Sequence, residues 1–477
     1  HYRFEYDILN RPTKVYFKDM AKQSPTEILL SETSYSILAN GNSQKADIIY
    51  FDQDGQTKST TITITDYAGR IVEQQYPDLT KTKIIYNYDG TVKEKISTNG
   101  SSTIYKYNGL GAVSDIWLPA SIKDGNIKYS WISNKYDKTG NIIEQKLGKQ
   151  LVGLNEVTND IYSIFSKYDK GRLIEQTDSE GKKTDFEYDV NGNIKKEIKY
   201  ASATETKVTE YQYNFMKKPL VVTSYVRSGN IIGSVFNDNS LKSITTQYTY
   251  DKNGNVKSIT QPNGTIIANT YDKSDRLLST RITGNNSNQT VTTSKTYTWD
   301  GKVETSTDAN NNITRYFYDI RGNLVKIVDA KNNTSLFKYD LAGRKIAEVS
   351  PKNVIGTDIG SMERTEYTYD AMSRVKTKSV VFKKWNMNTT TFTWSKDWTR
   401  TVIVAYAYDN MGNIVKTLDA MGFAAGTGAS DDEKIHTGYG TTNTYTLSGQ
   451  LETTKDAEAN LNNLPYSVRY EYNGFGH

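Results

Sequence analysis

A Tyr-Asp pair recurs eleven times along this chain, at Tyr6, Tyr88, Tyr136, Tyr168, Tyr188, Tyr250, Tyr271, Tyr318, Tyr339, Tyr369 and Tyr408, and its surroundings recur with it. The clearest copies read YTYDKNGNVKSI from Tyr248, YFYDIRGNLVKI from Tyr316, FKYDLAGRKIAE from Phe337 and YAYDNMGNIVKT from Tyr406. The shared pattern is aromatic, any residue, Tyr, Asp, two residues, Gly, Asn or Arg, then an apolar residue. Its fixed positions are Tyr6 and Asp7; Tyr188, Asp189 and Gly192; Tyr250, Asp251 and Gly254; Tyr318, Asp319 and Gly322; Tyr339, Asp340 and Gly343; and Tyr408, Asp409 and Gly412. Degenerate copies fill gaps at Tyr107-Asn108, Tyr213-Asn214, Trp299-Asp300 and Tyr472-Asn473. Tyr168 and Tyr188 stand 20 residues apart, Tyr250 and Tyr271 stand 21 apart, and so do Tyr318 and Tyr339. Such self-similarity sets the architecture before any single element does.

A unit of that length holds two short strands and two connections. Aromatic residues at i and i+2, such as Phe186 with Tyr188 or Tyr367 with Tyr369, fall on one face of a strand. The following Asp-x-x-Gly supplies a side-chain acceptor at the start of a turn and a residue tolerant of positive φ at its end. Each motif therefore reads as strand, tight turn, returning strand. The returning strand ends in a turn of its own, as at Asp308-Ala309-Asn310 and Asp329-Ala330-Lys331. One hairpin cannot cover its own apolar face, so consecutive hairpins must stack on their neighbours. The expectation is all-β: one continuous antiparallel sheet over residues 1–477, spiralled into a shell that encloses a cavity. Three stretches break the period, near 109–133, 378–402 and 421–440, and the Gly-rich last one reads as a long exposed loop.

Composition agrees with thin layers. Only 36% of the 477 residues are hydrophobic, and the mean hydropathy is −0.65. Tyr occurs 36 times against 13 Phe and 6 Trp, which suits rings buried on one side with a hydroxyl at water or at a partner. The 59 basic and 54 acidic residues are interspersed, a poor footprint for nucleic acid. The absence of Cys excludes disulfides, thiol catalysis and Cys-ligated zinc. No stretch approaches the length of a membrane-spanning helix. The chain opens and closes inside repeats, and so reads as part of a longer protein.

The motif Tyr-Asp-x-x-Gly followed by Asn or Arg and an apolar pair resembles the YD repeat of the RHS family, from Phe4 to Gly474. That family takes in bacterial polymorphic toxins, the B and C subunits of insecticidal toxin complexes, wall-associated proteins and teneurins. The resemblance implies a hollow β-shell, secreted or at the cell surface, that holds a toxic C-terminal polypeptide until delivery. Its partners would be that enclosed polypeptide or a delivery apparatus. The family's Pro-rich core with an aspartyl self-cleavage site is not visible in a chain with 8 Pro, so no protease residues carry over.

Catalytic chemistry finds little footing. His436 is the one histidine away from the chain ends, too few for a triad or a histidine metal site. Paired carboxylates are plentiful, but Asp251, Asp319, Asp340 and Asp409 all sit at the turn position, which explains them without hydrolase chemistry. Asp52-Gln53-Asp54-Gly55 and Asp189-Val190-Asn191-Gly192-Asn193 resemble calcium loops but lack the closing Glu. Gly109-Leu110-Gly111 has no strand-helix-strand context for a dinucleotide. No catalytic, cofactor or metal residue is assigned. The segment FKKWNMNTTTFTWSKDW, residues 382–398, gathers three of the six Trp, and Trp385, Trp394 and Trp398 form a candidate surface patch for glycans or proteins. A hairpin with Trp in place of Tyr explains the same residues. The second functional reading is therefore a cell-surface adhesion or carbohydrate-binding repeat protein.

Overall fold

The computed structural model describes residues 2–18, 27–39, 41, 43–51, 58–154, 156, 158–200, 206–227, 241–285, 289–388, 390, 393–474 and 476. It is all-β, with 35 strands in one antiparallel sheet. Each strand pairs with the strands next to it in sequence. Tyr2–Tyr6 pairs with Pro12–Lys18, which pairs with Glu27–Ile37, and so on to Leu451–Lys455 and Val468–Arg469. Among the described residues the two terminal strands do not pair with each other, so the sheet is not closed by hydrogen bonding.

A β-bulge falls at nearly every motif tyrosine: the register shifts between Thr249 and Tyr250, Thr270 and Tyr271, Phe317 and Tyr318, Lys338 and Tyr339, and Ala407 and Tyr408. Its cause is the turn. Gly254, at φ 86°, closes the turn begun at Asp251 and inserts the extra residue. Repeating the same bulge on the same side of the ribbon adds twist at each hairpin, which bends the ribbon in one sense.

All motif turns lie along one rim of the ribbon and all second turns along the other. Contacts between distant residues show how the rims meet. Thr98, in a second turn, donates to the Asn410 carbonyl in a motif turn 312 residues later. Ser448 lies against the Ala120 carbonyl, and the Gly474 amide donates to the Lys149 carbonyl. Tyr50, Phe51 and Pro77 share a cavity with Ala342, Arg344 and Met372, and the Arg321 guanidinium stands over the Phe17 ring. The contacts advance in step, so the ribbon coils and its motif rim seats on the opposite rim of the previous wrap. One wrap takes on the order of 24 strands, which at about 4.8 Å each makes a girth of about 115 Å and a coil roughly 35 Å across.

The wall is thin, as the hydropathy requires. Its best-defined core cluster is Val402, Ala405, Leu418, Phe423 and Ile435, and it corrects the reading of residues 421–440 as an exposed loop. They fold into helices α1 (Ala420–Ala424) and α2 (Asp431–Thr437) laid on the sheet. Asp419 caps α1, and Ser430 with Glu433 forms a capping box on α2. The glycines are packing points: a Cβ on Gly422 would run into the Tyr439 carbonyl, and one on Gly426 into the Lys434 carbonyl. A third short helix, α3 (Ala457–Leu461), follows. Most of the stretch 109–133 lies in two strands of 11 residues, Val113–Lys123 and Asn126–Tyr136, and most of the described residues of 378–402 lie in the longer strands Val375–Asn388 and Thr393–Tyr408. These two stretches lengthen hairpins of the same sheet.

Candidate functional site

The motif turn is built around one carboxylate. Asp251 Oδ1 accepts from the amides of Asn253 at 2.9 Å and Asn255 at 2.8 Å, and Oδ2 accepts from Asn255 Nδ2 at 3.0 Å. Asp189, Asp319 and Asp409 repeat this arrangement with Asn193, Asn323 and Asn413. Where Arg replaces Asn, its Nε takes the place of the amide, as from Arg11 to Asp7 at 2.7 Å and from Arg344 to Asp340 at 2.6 Å. The Asn255 side chain and the turn amides hold the Asp251 carboxyl below its ordinary range, and the same donors from Asn193 do so for Asp189. These oxygens are occupied by the turn's own donors, which leaves Asp189 without the free ligands of a calcium loop. Asp52 to Gly55 lie outside the described residues.

The tyrosine joins successive hairpins. Tyr188 donates to the Leu173 carbonyl at 2.7 Å, Tyr250 to Pro219 at 2.8 Å, Tyr318 to Val303 at 2.9 Å and Tyr408 to Val375 at 2.8 Å. Each acceptor opens or nearly opens the returning strand of the preceding hairpin. Burial pushes the hydroxyls of Tyr188, Tyr250, Tyr318, Tyr339 and Tyr408 above their ordinary range, so they stay protonated donors. The residue after the left-handed turn position, which is Gly in most motifs and Ser373, Asp275 or Lys217 in others, completes the join. Arg374 stands 4.5 Å from the Tyr408 ring centroid, Arg276 4.7 Å from that of Tyr297 and Lys218 5.6 Å from that of Tyr250. The same Lys218 passes beneath Gly254 of the next repeat, where a Cβ would crowd it, and Arg172 lies at contact distance beneath Gly192. Glycine thus serves both the positive φ and the neighbour's reach.

Two sequence pairs stand off register. At Tyr88-Asp89 the turn is closed by Asn87, whose amide donates to the Thr91 carbonyl, so Tyr86-Asn87 holds the motif place and Tyr88 projects fully into solvent. Likewise Tyr297-Thr298 fills the place assigned to Trp299-Asp300, and Trp299 is 99% exposed. Sequence favoured the more literal Tyr-Asp or Trp-Asp letters, whereas the position of Gly90 and Gly301 identifies the true frame. Exposure at the turn tips also tracks the rim contact: Ile8, Val190 and Phe215 stand in solvent, whereas Leu341 and Leu447, on turns seated against the other rim, are half-buried.

The strands Val375–Asn388 and Thr393–Tyr408 outrun their neighbours Arg364–Tyr369 and Ile414–Asp419, so a two-stranded finger projects from the sheet. Its register pairs Lys383 with Trp398, Trp385 with Lys396 and Met387 with Trp394. Directly opposed side chains share a face, so one face carries all three Trp, the Met and two Lys. Exposure rises outward, from 42% at Trp398 to 60% at Trp385 and 63% at Trp394. Lys383 and Lys396 lie over the rings of Trp398 and Trp385 at 5.1 and 5.8 Å. The other face is polar: Asp397 accepts from Ser395 and Asn386. Phe392 lies outside the described residues. His436 is exposed on α2, and its carbonyl accepts from Lys416 at 2.8 Å.

Residues 183–358 match the family model described as the teneurin YD-shell. No curated protein matches the sequence. Among solved structures, the TcdB2-TccC3 crystal structure aligns over 95% of this chain and 33% of its own, at 12% identity and a TM-score of 0.37. TcdB2-TccC3 without its hypervariable C-terminal region aligns over 100% and 36%, at 11% identity and a TM-score of 0.36. The Photorhabdus luminescens Tc holotoxin pore aligns over 93% and 29%, at 12% identity and a TM-score of 0.36. This chain thus spans about a third of the length of those chains. The segment over residues 183–358 is thus similar to a teneurin YD-shell, and the same turn repeats on both sides of it.

Proposed function

We propose that this chain is a non-catalytic wall segment of a YD shell, which surrounds and protects a C-terminal toxin or effector polypeptide for secretion or delivery. The observation that carries this reading is the rim contact, in which the motif turns of one wrap seat on the second turns of the wrap before, as Asn410 does on Thr98. A coil sealed in that way separates an inside from an outside without strand-to-strand closure. A girth of about 115 Å leaves room for an incompletely folded polypeptide. The motif carboxylates support a structural role, because the donors that hold Asp251 and Asp189 also deprive them of the raised pKa that a general acid needs. Residues 1–477 act as one continuous shell segment, and the protein is secreted or displayed at the cell surface.

The test is a cryo-EM map of the complete native polypeptide. Density inside the coil, continuous with chain that follows this segment, is the expected result. An empty lumen would overturn the reading. Glycan adhesion through Trp385, Trp394 and Trp398 is the competing reading of the finger, and the next experiment separates the two.

A further inference from the structure

We infer that the finger formed by residues 382–388 and 393–399 is a docking element for an anionic lipid surface. A two-stranded ribbon is marginal in water without something over its apolar face, yet this one reaches out by about 20 Å with Trp385, Met387, Trp394 and Trp398 uncovered. The occupant follows from chemistry and charge. Indole rings with a wet edge settle at the headgroup level of a bilayer. Lys383 and Lys396 alternate with the rings on that same face, while Lys384 lies opposite Asp397 on the other. The acid of the projecting strands, Asp397, lies on the opposite face, engaged by Ser395 and Asn386. The apolar face is therefore electropositive, which suits acidic headgroups.

The same geometry disfavours a sugar. Stacked sugars need carboxylate or amide groups beside the ring to bind their hydroxyls, and the finger keeps Asn386 and Asp397 on the face away from the Trp. A narrow projecting ribbon also forms no groove around a ligand, whereas it can press edgewise into an interface. This assignment does not depend on what the coil holds.

The experiment is co-sedimentation of the intact chain with vesicles of pure phosphatidylcholine and with vesicles in which about one third is phosphatidylglycerol. Sedimentation with the anionic vesicles alone is expected, weakened about tenfold by Trp385→Ser with Trp394→Ser and to a similar degree by Lys383→Glu with Lys396→Glu. All four residues are exposed, so circular dichroism should match the parent and guard against misfolding. Absence of sedimentation, or sedimentation that neither pair changes, overturns the inference. Trp-dependent retention on immobilised polysaccharide without vesicle binding also overturns it, in favour of a glycan site.

Discussion

The Tyr188 hydroxyl donates to the Leu173 carbonyl oxygen at 2.7 Å, reaching from one hairpin back to the one before. Arg172 lies over the same ring, so one side chain is held from two directions by its predecessor. The repeat is thereby a unit of attachment as well as a unit of folding.

Tyr188→Phe should keep the ring and lose the hydrogen bond, leaving the Leu173 carbonyl short of a donor. A cost of about 1 kcal/mol is expected. Neighbour-coupled repeats open locally, so amide exchange should quicken in the hairpin Arg172 to Tyr188 and not in distant ones. Unchanged exchange there would remove the staple from the account.

Acid should loosen the turns along both rims. The Asn141 and Thr139 donors lower the Asp137 carboxyl to about 2, and those of Asp189, Asp251, Asp308 and Asp329 are also lowered by the Asn that closes the turn. A carboxylate depressed in the folded state stabilises it fully above the unfolded value near 4, and that contribution is lost as pH falls toward 2. Far-UV circular dichroism from pH 5 to pH 2 should show the loss. Asp→Asn changes at Asp137, Asp189 and Asp251 together should flatten the profile.

Two glycine substitutions separate two uses of the residue. Gly412 has φ 90°, and its Cβ would meet nothing closer than Arg374 Nη1 at 3.8 Å. Gly412→Ala therefore carries backbone strain alone, about 1 kcal/mol. Gly422→Ala would drive a Cβ into the Tyr439 carbonyl and lift α1 from the sheet, at about 2 kcal/mol or more. Limited proteolysis should cut within 421–440 in the second variant and leave that segment intact in the first.

The rim contact is open to chemical test because the chain has no Cys. Thr98 Oγ1 lies 3.3 Å from Met411 Sδ. Thr98→Cys with Met411→Cys should give an efficient intramolecular link with a short bismaleimide, read as faster gel migration. Failure to link would mean that the wraps do not meet at this point.

Much of the wall is written locally. Strand, turn and return follow from aromatic residues at alternate positions, an Asp acceptor and a glycine at positive φ, all within a dozen residues, as around Tyr250 and Gly254. At Tyr88 and Trp299 the Tyr-Asp and Trp-Asp letters lie out of frame, because the glycine that ends the turn, Gly90 or Gly301, fixes which residue begins it. The misreading of 421–440 has a different source: glycine marks open loops and close packing alike, and only the carbonyls opposite Gly422 and Gly426 distinguish them. The Trp cluster at 382–398 was visible as letters, but its sidedness came from the pairing of Trp385 with Lys396 and of Met387 with Trp394.

The sequence by itself determined an antiparallel ribbon of hairpins, because each hairpin is specified by its turn residues and by side-chain alternation between near neighbours. The tertiary structure alone decided that Thr98 meets Asn410, that α1 and α2 cover Leu418, and that the finger stands clear of the wall. The first of these depends on small twists at successive bulges summed over some 300 residues. No local segment encodes that sum, since a slight change in twist per hairpin would bring different turns together.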